Sequence, residues 1–392
     1  MLVLINYRYS NSYRGGSDFL VNWVSARVVV LEGGTPYTDA SADRILEVRR
    51  AYTDPPYTED LRMVYPIYAA LLFLPFSLIT DYTLALVLWS TLLQVALVLL
   101  TFLSVKLVDW RPTPLLFKAF LIYAVLGFHS MQAVYKGDII ILLTLFMVIG
   151  LLVLKNGQEE LSGVILAFLT VKPQVAFLPI LFLFIWLIRQ GRWKTIFWFF
   201  AIFGIFVALG FVILPDWPIQ YVQEIIKFTS SHPIGNIVET MSAVVPSFGE
   251  RLGWLITAMI SFIMILEWFL SNDKSFNRLI WVFSFSLVVN QWVNIYNDAG
   301  NFVILMPVLA LVLSTFQKRW KQTGAFITLA MLSVLFFGIW LIPSWETLSS
   351  MLTQPKIALY LILPGFLLVT LYWIRWWLAT PDIWLEQFTP FQ

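Results

Sequence analysis

The chain has no cysteine and only two histidines, His129 and His232, in 392 residues. Disulfides, thiolate metal sites and a cysteine nucleophile are therefore excluded, and a histidine-rich metal centre lacks its ligands. Charge is also scarce, with 12% of residues charged and a formal net charge of +2. The basic residues fall in short clusters between apolar runs, where orientation signals are expected, so the sequence offers no case for a nucleic-acid partner. There is no G-x-x-x-x-G-K-[ST] loop and no G-x-G-x-x-G fingerprint, and direct use of ATP or a dinucleotide cofactor has no support. The front of the chain lacks a D-x-D pair and the polar loops lack histidine–carboxylate ligand spacing, so no metal requirement is expected.

What the chain does have is apolar length. Hydrophobic residues make up 59% of it, and the mean hydropathy of +0.80 would make a soluble domain aggregate. Runs such as 84–105, 196–213 and 357–374 are near-continuous and long enough to cross the hydrocarbon core as helices, unlike the short alternating segments of a barrel. The expected fold class is all-α, a polytopic transmembrane protein. Its polar exception is the front segment, so the domain division is 1–63 as a first extracytoplasmic loop with amphipathic helices and 64–392 as the transmembrane domain.

Basic clusters lie at Lys106 to Lys118, at Arg189, Arg192 and Lys194, at Lys274 and Arg278, at Lys318, Arg319 and Lys321, and at Arg375. By the positive-inside rule they face the cytoplasm, and threading the apolar runs between them gives about eleven spans. These run near 83–105, 114–128, 139–154, 160–171, 174–188, 195–214, 252–270, 279–293, 302–316, 323–342 and 357–375. Parity puts His129 to Asp138, Thr170 to Pro173, Pro215 to Arg251, Asn294 to Asn301 and Pro343 to Lys356 in loops on the opposite face. The run Val64 to Ile79 has two readings. A full span would put the front segment in the cytoplasm, whereas a re-entrant or interfacial hairpin leaves it outside; Pro66, Pro75 and the shortness of the run favour the hairpin.

On that topology the remaining ionisable residues, His129, Lys136, Asp138, Lys172, His232, Glu239 and Asp298, gather at one face. Charge at membrane depth is costly, so the default reading is a functional site, with interfacial snorkelling as the alternative for Lys136 and Asp138. Glu267, near the inner end of its helix, reads as structural. The stretch DFLVNWVSARVVVLEG is an amphipathic helix by spacing, with Ser17 or Asp18 as its N-cap and Gly33 and Gly34 as its stop.

In order along the chain stand S-D-F at 17–19 heading that helix, G-G-T-P-Y at 33–37, Y-P at 65–66, K-G-D at 136–138, V-K-P at 171–173, G-R-W-K at 191–194 and H-P-I-G-N-I-V-E-T at 232–240. This succession resembles the GT-C superfamily of integral-membrane, polyprenyl-phosphate-dependent glycosyltransferases, in particular its bacterial mannosyltransferase-like branch. The resemblance implies a large first extracytoplasmic loop with a catalytic acid, which falls on Asp18. The family normally has a spanning helix before that acid and this chain keeps only Met1 to Tyr7 there, as expected of one lacking its first helix. Related proteins often read G-Q where Gly137 and Asp138 stand, and Y-P-P at Tyr65 to Ile67.

The chemistry so implied needs one base, because a sugar on a polyprenyl phosphate already carries a stable leaving anion. Asp18 takes that role, with inversion at the anomeric carbon; Asp39, Asp43 and Asp54 are the reserve acids. The departing phosphate needs cations or donors. Lys172 is the first candidate, then His232 with Asn236, then Lys136, while Asn294, Asn297 and Asp298 are candidates for sugar hydroxyls, an N-D-x-G turn being the plain alternative. The expected partners are the donor, a lipid or glycan acceptor and membrane lipids, at the outer face of the cell membrane. The rival classes are a transporter or lipid-carrier flippase, and a non-catalytic membrane scaffold.

Overall fold

The computed structural model describes residues 1–12, 15–52, 61–231, 235–271, 275–293, 297–346 and 355–379. His232, Lys274, Asn294 and Asp54 lie outside them. Among the described residues every regular element is a helix. The front segment holds α1 (Leu2–Ser12), α2 (Ser17–Leu31) and α3 (Asp39–Tyr52), and the short α4 (Ala70–Ser77) follows. The body comprises α5 (Tyr82–Leu107), α6 (Pro114–Leu126), α7 (Phe128–Lys136), α8 (Ile140–Lys155), α9 (Glu159–Leu166), α10 (Phe177–Arg189) and α11 (Trp193–Ile213). Then come α12 (Trp217–Ser231), α13 (Ile237–Val244), α14 (Gly249–Leu270), α15 (Phe276–Val293), α16 (Met306–Glu346) and α17 (Pro355–Ala379).

Seven helical stretches are long and apolar enough to cross a membrane: Tyr82–Leu107, Pro114–Lys136, Trp193–Ile213, Gly249–Leu270, Ala299–Trp320, Thr323–Leu341 and Leu359–Leu378. The other four runs expected to span, near 139–154, 160–171, 174–188 and 279–293, are helical but fall short of that measure in length or apolarity. Three of them are broken or short because they stop at a polar cavity. The fourth, α15, carries Asn290 and Gln291 at the same end.

Two stretches expected as loops are largely helical. Residues 129–138 form most of α7, and 215–251 contain α12 and α13, whose mixed polarity suits an interface rather than a span. The run 64–79 holds only a 3₁₀ turn, Ile67–Ala69, and α4, too short together to cross.

The expected cap of α2 is corrected by the structure. Gly16 is the N-cap, at φ +87°, and no side chain caps the helix. Ser17 and Asp18 therefore sit inside the first turn. A side chain at Gly16 would meet Leu86 and the Tyr82 hydroxyl at 2.7 Å, so glycine answers both backbone and space there. Nor is α2 amphipathic in place: Phe19 to Ala26 are buried without interruption, because α3, α4 and α7 pack around it. Phe19 stacks on Trp89 at 5.5 Å, and Phe73 closes on the same indole at 4.9 Å. Trp23 Nε1 donates to Phe76 O, and Arg27 donates to Ser77 O at 2.6 Å. The front helix is thus part of the hydrophobic core, while α3 keeps an outer charged face over buried Ala42 and Ile45.

The chain breaks between α9 and α10. Pro173 disfavours helix at Lys172, which is held at φ −134°, ψ 70° between two short 3₁₀ turns. Backbone groups freed at membrane depth must find partners. The Tyr68 hydroxyl donates to Thr170 O, Asn290 Nδ2 to Gln174 O and Gln291 Nε2 to Val175 O, while Asn290 Oδ1 accepts from Leu178 N. The polar end of α15 is what makes this break tenable.

At the far end, Lys155 donates to Leu107 O, Arg189 to Trp268 O, and Glu267 pairs with Arg278 at 2.6 Å and Arg375 at 2.8 Å. Glu267 is therefore structural, as its position suggested. Charge is segregated: basic groups close one end of α8, α10 and α15, and the cavity lies at the other.

Candidate active site

The cavity measures about 580 Å³ and is walled by α2, the segment before α4, the end of α7 and the turn after it, the Lys172 break, the start of α10, α12, the end of α15 and the residue ahead of Ala299. Asp18, Lys136, Asp138, Lys172 and Asp298 all line it. So do Val21, Val64, Phe177, Leu178, Ile225 and Phe228, which give it an apolar lining beside the charged groups.

The carboxylate of Asp18 reaches this place through backbone bonds. Gly16 N donates to Tyr135 O at 2.7 Å, Tyr82 hydroxyl to Gly16 O and Trp89 Nε1 to Gly137 O at 2.8 Å. These tie the start of α2 to the end of α7, one residue from Lys136. Gly137, at φ +70°, ends α7 as a left-handed C-cap. A side chain there would come 2.6 Å from Phe19, so the turn that presents Lys136 and Asp138 depends on glycine.

Lys172 and Asp138 form a buried pair, with Nζ 2.8 and 3.0 Å from the two carboxylate oxygens. Lys172 also donates to Asn301 Oδ1 at 2.7 Å, and Asp138 Oδ1 accepts from Ile140 N. Lys136 pairs with Asp298, which in turn accepts from Gly300 N and caps the 3₁₀ turn Ala299–Leu305. Each lysine thus has its own aspartate. Asp18 has no cation at ion-pair distance among the described residues, only Ser17 Oγ at 3.2 Å. Burial first, then the nearby Asp138 charge, push the Asp18 carboxyl up to about 7, against the pull of Lys136 and Lys172. Burial would raise Asp298 as well, but Lys136 and the Gly300 amide outweigh it and hold that carboxyl below its usual range.

The candidate residues separate clearly. Asp18, Lys136, Lys172 and Asp298 meet at the cavity. Asn297 does not line it: its amide donates to Gln291 O and its oxygen accepts from Asn301, so it braces the Lys172 network. Asn236 caps α13 through Glu239 N, and Glu239 answers to Gly235 N, a capping box away from the cavity. His129 is buried against Ala299 O, outside the cavity wall. Asp39 is exposed and paired with Arg62. The sequence reading passed over Arg62 and Asn22, both on the wall, and over Asn301 behind Lys172. Asn22 carried a signal: an amide one helical turn after Asp18 in an otherwise apolar stretch.

A raised carboxyl with no counter-ion among the described residues, two lysines and an apolar lining suit group transfer from an amphiphilic donor. Residues 63–290 match glycosyltransferase family 87. The chain belongs to this family. No curated protein and no solved structure matches the chain. The match makes the protein a membrane glycosyltransferase of GT-C type, with a sugar donor and an acceptor as substrates. It covers Lys136, Asp138 and Lys172; Asp18 lies before it and Asp298 after it.

Proposed function

We propose that this family 87 glycosyltransferase moves a hexose, mannose first among the candidates, from a polyprenyl phosphate to a hydroxyl of a lipid or glycan acceptor. The observation that carries the reading is Asp18, a half-buried carboxylate with no cation at ion-pair distance among the described residues, on a cavity lined by both charged and apolar side chains. The acceptor hydroxyl gives its proton to Asp18 as its oxygen attacks the anomeric carbon, and the prenyl phosphate leaves from the opposite face with inversion. The apolar lining suits the first prenyl units. The direct test is transfer by the purified chain from prenyl-phosphate mannose and prenyl-phosphate glucose, with the anomeric configuration of the product read by NMR. Release of no prenyl phosphate from either donor would exclude the reading.

The leaving phosphate falls to Lys136 before Lys172. The Lys172 ammonium bonds Asp138 and Asn301 and its side chain is 5% exposed, whereas that of Lys136 is 30% exposed and, among the described residues, bonds only Asp298. Lys172 then contributes its field from behind the wall. Lys136→Ala is expected to raise KM for the prenyl donor and slow transfer, together costing about 1.5–3 kcal/mol in kcat/KM, the size of a charge-assisted hydrogen bond. Unaltered donor kinetics would remove Lys136 from the headgroup.

The cavity is assigned to the outer face of the cell membrane because the basic clusters occupy the other end of the bundle. A cysteine in place of Asp43, exposed on α3 of this cysteine-free chain, should react with a membrane-impermeant thiol reagent on intact cells. Reaction only after the cells are opened would invert the topology.

A further inference from the structure

Asn22 has one half of its amide settled and one half unsettled. Its Nδ2 donates to Asp18 O at 2.7 Å, which fixes the amide orientation, since the flipped form would set two oxygens against each other. Its Oδ1 has no partner among the described residues, although the residue is 2% exposed. The side chain forms part of the cavity wall one turn along α2 from Asp18. Nor does Asp18 O depend on this amide, for inside a helix that carbonyl also receives the backbone N–H of Asn22. In the empty protein a buried acceptor without a donor is therefore a net loss, one that a leucine of similar size would remove.

A group that weakens the empty protein at the wall of its reaction cavity is explained by what it binds. We propose that Asn22 Oδ1 accepts a hydrogen bond from a sugar hydroxyl beside the reacting one, so that Asn22 is a specificity-determining residue. The proposal rests on the reading of Asp18 as the base of a hexosyl transfer. The ligand must be a donor group at this point, because the amide offers only its oxygen; a pyranose hydroxyl fits, and a ring position bearing hydrogen or fluorine does not. That hydroxyl belongs either to the sugar being moved or to the acceptor.

The test is Asn22→Leu in the full chain, with Ser25→Ala as the comparison. Ser25 is as buried, has an equally unpartnered oxygen and is absent from the cavity wall. The leucine variant should keep or raise the wild-type melting temperature in detergent while kcat/KM for the intact sugars falls about 10- to 100-fold. Two series of monodeoxy probes locate the partner, one in prenyl-phosphate mannose and one in methyl mannoside acceptors. Wild type should reject one deoxy position by that same factor, Asn22→Leu should accept it as readily as the parent sugar, and Ser25→Ala should discriminate as wild type does. The series in which discrimination collapses names the donor or the acceptor. A leucine variant that melts several degrees lower, or one that still discriminates, overturns the proposal. If wild type transfers from no prenyl-phosphate hexose, the donor reading alone has failed, and Asn22 is judged by thermal stabilisation with methyl mannoside. A shift in wild type that the leucine variant lacks upholds the hydroxyl contact; equal shifts, or none, refute it.

Discussion

Asp18→Asn is expected to lower hexosyl transfer about 10²- to 10⁴-fold while leaving insertion and donor binding in place. Asparagine keeps the size of the side chain and removes only its capacity to take a proton. Because Gly16 caps α2 and Asp18 lies within the first turn, no cap is lost. The pH profile gives a second readout. A base with its carboxyl near 7 is half ionised at neutrality, so wild-type kcat/KM should climb with pH through about 7 and then level, and the asparagine variant should lose that limb. Stability should run the other way. The folded carboxyl lies above its unfolded value of 3.8, so the folded state holds the extra proton between the two and stability falls as pH rises through about 7. Asp18→Asn should therefore come closest to wild type in melting temperature below about pH 4 and exceed it by a margin that grows from there to pH 8. An asparagine variant with near-normal transfer would pass the role to Asp39 or Asp43, although both lie outside the cavity wall.

The largest loss of stability is expected from Asp138→Ala. It leaves the Lys172 ammonium buried with Asn301 as its remaining acceptor, and breaking one partner of a buried pair typically costs about 3–5 kcal/mol. The double replacement Asp138→Leu, Lys172→Met removes both charges and should recover most of that loss while transfer stays impaired, because the field of Lys172 is gone. Denaturant unfolding in detergent measures both variants. A single variant within about 1 kcal/mol of wild type would mean that the pair is not buried as described.

Much of this was legible before the structure, for reasons that belong to particular residues. The extent of α2 could be read because a helix start, an apolar run and the Gly33–Gly34 stop are all local features, whereas the role given to Asp18 came from the family resemblance. The break at Lys172 could be read because proline restricts the residue before it. The pairings could not: Lys172 finds Asp138 across 34 positions and Lys136 finds Asp298 across 162, and neither spacing follows a period. Lys172 therefore looked like an available cation although the fold engages it with Asp138 and Asn301. The helices α12 and α13 were hidden for a different reason. Interfacial helices are half polar, so a search for long apolar runs passes over them; Trp217, Tyr221, Glu224 and Phe228 at helical spacing were the trace of α12.

The ends of the bundle also set where substrate can come from. From the cavity, α8 and α10 run 16 and 13 residues to the basic end, about 24 and 20 Å at the rise of an α-helix. Both are shorter than the roughly 30 Å hydrocarbon core, so the cavity floor lies below the membrane surface, within one leaflet. A lipid-borne sugar in that leaflet needs to rise only a few ångströms to meet Asp18. The same lipid in the opposite leaflet stands a whole helix length away, behind the arginines that hold Glu267. With the proposed lipid-borne donor, the enzyme would draw on a single leaflet, and its rate in cells would be tied to however many loaded carriers had already been delivered to that side.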